Sequence, residues 1–236
     1  MIAQEVSGEL RSLKNSSKAK FLSHFFKTGK GEYAEGDMFL GLTVPVSRSV
    51  ARRYEGLPLD EIVKLLQSQF HEERLVALLI LVEKFKHNID LQEQIYRLYL
   101  SNTENINNWD LVDLSAPQIV GRYLSGKKDR DILQKLAKSE SLWERRISIL
   151  STLYFIVYEK DFRDTFRIAE ILISDQHDLI HKAVGWMLRE VGKRISEEEE
   201  EVFLKKHYKK MPRTMLRYAI ERFEEKKRQN YLTGTI

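Results

Sequence analysis

Apolar residues along this chain recur at intervals of three and four almost throughout, and no stretch alternates apolar with polar between turn signals. That period predicts helices and argues against a sheet. The spacing places helices near residues 3–14, 17–28, 45–55, 59–68, 71–87, 89–101, 107–124, 129–138, 141–158, 161–174, 178–194, 197–209 and 212–225. Punctuation supports several of these limits. Pro45 suits a first helical turn, where its missing N–H costs nothing, and Pro212 follows the Lys209-Lys210 end of the helix before it. Ser196 stands before Glu197 to Glu201, and a hydroxyl followed by carboxylates satisfies the amides of a helix N-terminus. The predicted class is all-α.

A longer beat overlies the short one. Arg74, Asp110, Arg146, Lys182 and Tyr218 are evenly spaced, 36 residues apart, each in a segment of the same apolar phase. A constant period of this size predicts stacked helical pairs, an α-solenoid. One residue after each beat stand Leu75, Leu111, Ile147 and Ala183, and four after stand Leu78, Leu114, Leu150 and Trp186. These columns form the buried stripe or its margin. The adjoining face carries Arg74, Trp109, Asp113, Arg146 and Lys182, a mixture of cations, an indole and a carboxylate that reads as a binding face. Residues 1–236 read as one continuous domain. Its only break is residues 29–41, where Gly29, Gly31, Gly36 and Gly41 predict a loop of tight turns. As a phosphate cradle that loop fails, because no strand precedes it and no Gly-Lys-Ser/Thr closes it.

Composition narrows the chemistry. With no cysteine, the chain supplies no disulfide, thiolate nucleophile, zinc finger or iron–sulfur ligand. That absence fits a reducing compartment. The N-terminus lacks a charged segment followed by an apolar one, and no apolar run reaches the roughly 18 residues of a membrane span, so a soluble, cytoplasmic monomer is expected. The net charge of +4 is unevenly spread: residues 203–228 hold ten Lys or Arg against Glu221, Glu224 and Glu225, and residues 1–53 hold nine against five. The middle is therefore net negative. Basic ends would draw a polyanion, although Lys-rich helical faces are also simply solvated, and charge alone leaves both open.

Three constellations carry possible chemistry. Trp109 and Asp113 sit at i and i+4, so an indole and a carboxylate project together from one helix. Taken alone, such a pair is as well a surface contact or an N-terminal cap; in register with Arg146 and Trp186 it suits a flat cationic group beside an anionic backbone. Trp186 falls in a column of leucines, so it fills the core or faces a ligand, and Gly185 before it hints that space is needed there. His177 and His181 flank Asp178 in a superficial likeness to a zinc-protease helix, but the residue after the first His is Asp rather than Glu and the helix starts near Asp178. No metal site is expected.

Trp109-Asp110-Leu111-Val112-Asp113, Trp143-Glu144-Arg145-Arg146, Lys182 to Glu190 and Phe39-Leu40-Gly41 with Pro45 and Arg48 together resemble the AlkD-like DNA alkylation repair glycosylases, over a span from about Phe39 to the C-terminus. The resemblance implies HEAT-like antiparallel helical pairs whose concave face binds double-stranded DNA, and excision of purines made cationic by N3 or N7 alkylation, without turning the damaged base into a pocket. It implies Asp113 as the catalytic carboxylate, Trp109 and Trp186 as an aromatic pair against the damaged nucleotide, and Arg146 as a phosphate partner. Lys182, Arg74 and Arg189 would join the DNA contacts, with Tyr33 near the place of a family tyrosine. No metal or other cofactor is implied. The expected function is hydrolysis of the N-glycosidic bond of 3-methyladenine or 7-methylguanine in duplex DNA. A non-catalytic DNA-binding module and a HEAT-like protein scaffold are the alternatives.

Overall fold

The computed structural model describes residues 1–236 and is all-helical. The chain divides into two compact units, Met1–Ser115 and Ala116–Ile236.

The first unit contains α1 (Ala3–Ser12), α2 (Ser16–Phe25), α3 (Val44–Arg53), α4 (Leu59–Leu66), α5 (His71–His87), α6 (Gln92–Leu100) and most of α7 (Trp109–Ala116). Its axis is α5, against which α1, α3, α4 and α6 pack. That central place explains its composition: apolar Leu75, Val76, Leu78, Ile80, Leu81 and Phe85 cover more than one face and are all buried. More unusually, its charged first turn, His71-Glu72-Glu73-Arg74, is buried too. A charge inside a protein persists only if it is paired and hydrogen-bonded, and each of these is. Glu73 accepts from Ser7 Oγ, Ser68 Oγ and Arg11 Nε at 2.8–2.9 Å. Glu72 Oε1 accepts from the N–H groups of Gly41 and Leu42, and Oε2 from that of Leu40, at 2.8–3.0 Å.

The glycine-rich segment is thus a loop, as its composition predicts, and its fan of backbone N–H groups is filled by the protein's own carboxylate. Gly41 is obligatory there: its φ is +85°, and a Cβ would lie 2.1 Å from the Asn15 carbonyl oxygen. Two further hydrogen bonds tie the loop to the start of α5, Met38 N–H to Gln69 O and His71 N–H to Met38 O. No strand forms.

The second unit contains α8 (Arg122–Leu124), α9 (Asp131–Ala137), α10 (Leu142–Tyr154), α11 (Arg163–Leu172), α12 (Asp178–Arg194), α13 (Glu197–His207), α14 (Arg213–Ala219) and α15 (Glu225–Thr233). Two π-helical turns, Pro117–Gly121 and Phe155–Glu159, fall where plain helix is predicted; Pro117 cannot donate to the regular ladder. Within this unit α10 packs on α9, α11 and α12, and α12 on α13 and α14, which suits stacked helical pairs. Ser196 caps α13 by accepting from Glu199 N–H at 3.2 Å, and His177 caps α12 by accepting from Leu179 N–H at 3.1 Å. His177 therefore lies outside its helix, as the sequence suggests. Gly185 is needed for close approach of α14, because a Cβ would sit 2.4 Å from Met215 O and 2.5 Å from Tyr218 Cβ. The apolar period predicts no helix beyond about residue 225, yet α15 forms there. The run Glu225 to Asn230 has no apolar stripe to reveal a helix, which is held by the buried Tyr231 and closed by Gly234 in the left-handed conformation.

Candidate functional site

In the first unit the site is built on the N-terminal end of α7. Asn108, fully buried, turns its Oδ1 to the Trp109 N–H at 2.8 Å and its Nδ2 to Asp37 Oδ2 at 3.4 Å. Asp110 Oδ1 accepts from Leu111 N–H at 2.9 Å, and its Oδ2 lies 2.9 Å from His71 Nε2. The other ring nitrogen, Nδ1, lies 3.5 Å from Asp37 Oδ2, while Arg74 Nη2 donates to Asp37 Oδ1 at 2.7 Å. His71 is thus an imidazole between two carboxylates. Burial works against its charge, but the Asp110 carboxylate, with the Asp37 hydrogen bond added, raises its pKa to about 9, so His71 is a cation at neutral pH. Burial also opposes the charge of Asp37; the bonds from His71 and the Arg74 guanidinium outweigh it and hold that carboxyl below the usual range. The network fixes three separate segments, the loop at Asp37, the first turn of α5 and the first turn of α7.

Aromatic rings cover the imidazole. Phe39 stacks on His71 with centroids 4.6 Å apart, Phe26 stacks on Phe39 at 5.1 Å, and Trp109 stacks on Phe26 at 5.2 Å. Phe25 meets Trp109 edge-on at 6.2 Å. Trp109 is therefore held by ring contacts on one side and by the Asn108 cap at its backbone, yet remains half-buried rather than enclosed. One turn on, Asp113 is likewise half-buried; its charge contributes to raising the pKa of the buried Tyr99 phenol, after burial itself. Tyr33 is half-buried in the turns of the glycine-rich loop.

The second unit holds the remaining predicted residues. Trp186 is half-buried on α12 and not in the core, although Leu78 and Leu150 of its column are fully enclosed. Its Nε1–H donates to Glu190 Oε1 at 3.2 Å, and Glu190 Oε2 is taken by Arg194 Nε. Burial opposes ionisation of Glu190, but the Arg194 bond, with that of Trp186, holds its pKa below normal. Lys182 pairs with Asp178 at 2.7 Å on an exposed face, and Arg189 pairs with Glu221.

Two arginines need correction. Arg74 is 3% exposed and Arg146 4%, so neither is the open surface cation that the 36-residue beat suggested. Arg74 is spent on Asp37 and, through Nη1, on the Ser68 carbonyl at 2.9 Å; Arg146 Nη1 donates to the Leu179 carbonyl at 2.5 Å. Helix starts and loops carry buried carbonyls that need donors, and a guanidinium supplies several. Asp37, His71, Asn108, Phe25 and Phe26 carry no spacing or motif signal in the sequence. Asp110 stands out as a member of the beat and of the Trp109–Asp113 motif, but nothing in the sequence joins it to His71, 39 positions away.

A family model described as DNA alkylation repair enzyme matches residues 6–223. A solved structure from Enterococcus faecalis, described as a predicted DNA alkylation repair enzyme, shares the fold with a TM-score of 0.68 at 16% identity, over 90% of this chain and 97% of that one. No curated protein matches the chain.

Proposed function

The chain belongs to the DNA alkylation repair enzyme family, and from that premise we propose that it is an AlkD-like DNA glycosylase, releasing cationic N3- or N7-alkylated purines from duplex DNA by hydrolysis. The observation that carries the reading is the Trp109 and Asp113 pair on α7, an indole and a carboxylate on one helical face. Both are half-exposed, and the helix start beneath them is immobilised by Asn108, Asp110 and His71. Precise placement of a reacting group requires such a fixed frame.

An N-alkylated purine carries a positive charge and departs as a neutral base, so it needs no protonation. The barrier lies in the oxocarbenium character growing on the deoxyribose. A carboxylate about 4 Å from that charge, at an effective dielectric near 20, stabilises it by about 4 kcal/mol, or roughly a thousandfold in rate. Asp113 takes this role and orients the attacking water, whose oxygen bonds to the anomeric carbon while its proton passes to the carboxylate and then to solvent. The face of Trp109 adds cation–π attraction to the same developing charge. Lys182 and Arg189 contribute phosphate contacts by exchanging exposed carboxylate partners for DNA, an exchange that costs little because exposed ion pairs are weak. Arg74 and Arg146, being buried, position helix ends instead.

The test is release of 7-methylguanine from methylated duplex by wild type and by Asp113→Asn. Wild type releases base and the variant is slower by about a thousandfold. Equal release from both, or none from either, contradicts the assignment. Salt-sensitive duplex binding without release would instead mark a non-catalytic module.

A further inference from the structure

His71 is linked to the Trp109 indole by two separate routes. The first runs through hydrogen bonds and the chain. His71 Nε2 meets Asp110 Oδ2 at 2.9 Å, Asp110 Oδ1 holds the Leu111 N–H at 2.9 Å, and Asp110 directly follows Trp109 in the chain. On the other side of Trp109, Asn108 Oδ1 accepts from its N–H at 2.8 Å, and Asn108 Nδ2 reaches the same Asp37 oxygen that faces His71 Nδ1. The second route runs through rings. Phe26, Phe39 and His71 form a closed cluster, every pair 4.6–5.1 Å apart, and Phe26 stacks in turn on Trp109 at 5.2 Å and 23°. His71, Asp110, Trp109 and Phe26 thus close a circuit within the first unit, and a shift of the imidazole reaches the indole through its backbone and its ring face together.

One protonation state fits this circuit. Both ring nitrogens of His71 face carboxylate oxygens, which accept and do not donate. An imidazolium donates to both. A neutral imidazole carries a single N–H, so a lone pair would be set against Asp37 or Asp110 in a site where His71 is only 2% exposed. The charged groups around the ring are Asp37 from the loop, Asp110 from α7 and, on α5 itself, Arg74 and Glu72. Arg74 is turned to Asp37 and Glu72 to the loop amides, which leaves Asp110 to His71. Packing alone would be met by a phenylalanine, with no buried carboxylates to satisfy.

We propose that His71 is the positioning residue for Trp109: the doubly donating imidazole sets the orientation of the indole, and loss of its proton releases it. The assignment rests on the glycosylase reading only for what the indole does to DNA.

The experiment follows the fluorine spectrum of the whole protein carrying 5-fluorotryptophan at its three tryptophans, with the signals assigned from Trp143→Phe and Trp186→Phe. The Trp109 signal should shift as pH rises through about 9. His71→Gln should abolish that shift. Asp110→Asn, which keeps the size of the side chain and removes the charge that favours the imidazolium, should lower its midpoint by about one unit or more. At neutral pH, His71→Gln should lower kcat for 7-methylguanine release about tenfold to a hundredfold with KM for the duplex unchanged, because the misplacement is felt at the reacting centre rather than in binding. A Trp109 signal that stays flat in wild type, or that titrates alike in wild type and both variants, overturns the proposal, and so does a raised KM at unchanged kcat. The two assignments fail separately: a titrating Trp109 in a protein that releases no base removes the glycosylase reading alone, whereas base release with a flat Trp109 signal removes the positioning role alone.

Discussion

Each unit carries a tryptophan followed four residues later by a carboxylate on the same helix, Trp109 with Asp113 and Trp186 with Glu190. Spacing alone makes the two pairs equivalent. Their surroundings do not. Glu190 is 6% exposed, with one oxygen accepting from the indole of its own pair and the other from Arg194, so its charge is neutralised locally. Trp109 instead turns its ring to Phe25 and Phe26, and Asp113 stays half-exposed one turn away. A carboxylate locked into a buried ion pair has little left to offer a cation that develops during a reaction. On the proposed reading, the motif serves structure in the second unit and chemistry in the first.

The contrast extends to buried carboxylates. The first unit satisfies Glu72 with loop amides and Glu73 with side-chain donors, whereas the second buries Glu200 at 2% exposure with no hydrogen bond to its Oε1. The largest expected effect therefore follows removal of Glu72. Glu72→Ala orphans the N–H groups of Leu40, Gly41 and Leu42 and should cost about 3–5 kcal/mol in urea unfolding. A loss below 1 kcal/mol would mean that water replaces the carboxylate and that the loop is not held as described.

Next comes the pH dependence, which separates the units by its windows. The pKa of His71 is raised from 6.5 to about 9, so its contribution is complete below pH 6.5 and disappears as pH rises through 9, a loss of about 3 kcal/mol. Burial and the neighbouring Glu197 raise Glu200 from 4.5 to about 9, so its neutral form also favours the fold, and its contribution declines from pH 4.5 upward. Between 4.5 and 6.5 Glu200 acts and His71 does not, while His177, whose pKa burial lowers from 6.5, opposes it. Glu200→Gln should remove the decline in that lower window, and His71→Gln should reduce the slope only above 6.5. Identical profiles for both variants would contradict the assignment of the two groups.

Gly185→Ala should cost about 1–3 kcal/mol by forcing α12 from the backbone of α14, measured as a fall in thermal midpoint. The smallest effect is that of Trp186→Phe. It removes one hydrogen bond to Glu190 and should cost about 0.5–1.5 kcal/mol, leaving the pair of Glu190 with Arg194 in place.

Much of this was legible in the chain and some was not, for physical reasons. The apolar period finds α5 and α12 to the residue, because each has a long stripe and clear termini. It misses α15, whose single anchor Tyr231 leaves no period to read. The 36-residue beat picks out Arg74 and Arg146 as a shared feature but reports nothing about burial, since a guanidinium on a solvated face and one feeding a buried carbonyl look alike in sequence. Trp109 and Asp113 stand out by spacing. Asp37, His71 and Asp110 do not, because their partnership is made by a loop folding back over the start of a helix.

The most direct test compares the two tryptophan–carboxylate pairs by chemistry. Release of 7-methylguanine from methylated duplex is measured for Asp113→Asn and Glu190→Gln side by side, with folding checked for each. Asp113→Asn should lose about a thousandfold in rate, and Glu190→Gln no more than about tenfold, the cost of one loosened indole contact. Comparable losses in both, or a larger loss from Glu190→Gln, would contradict the division of roles between the two units.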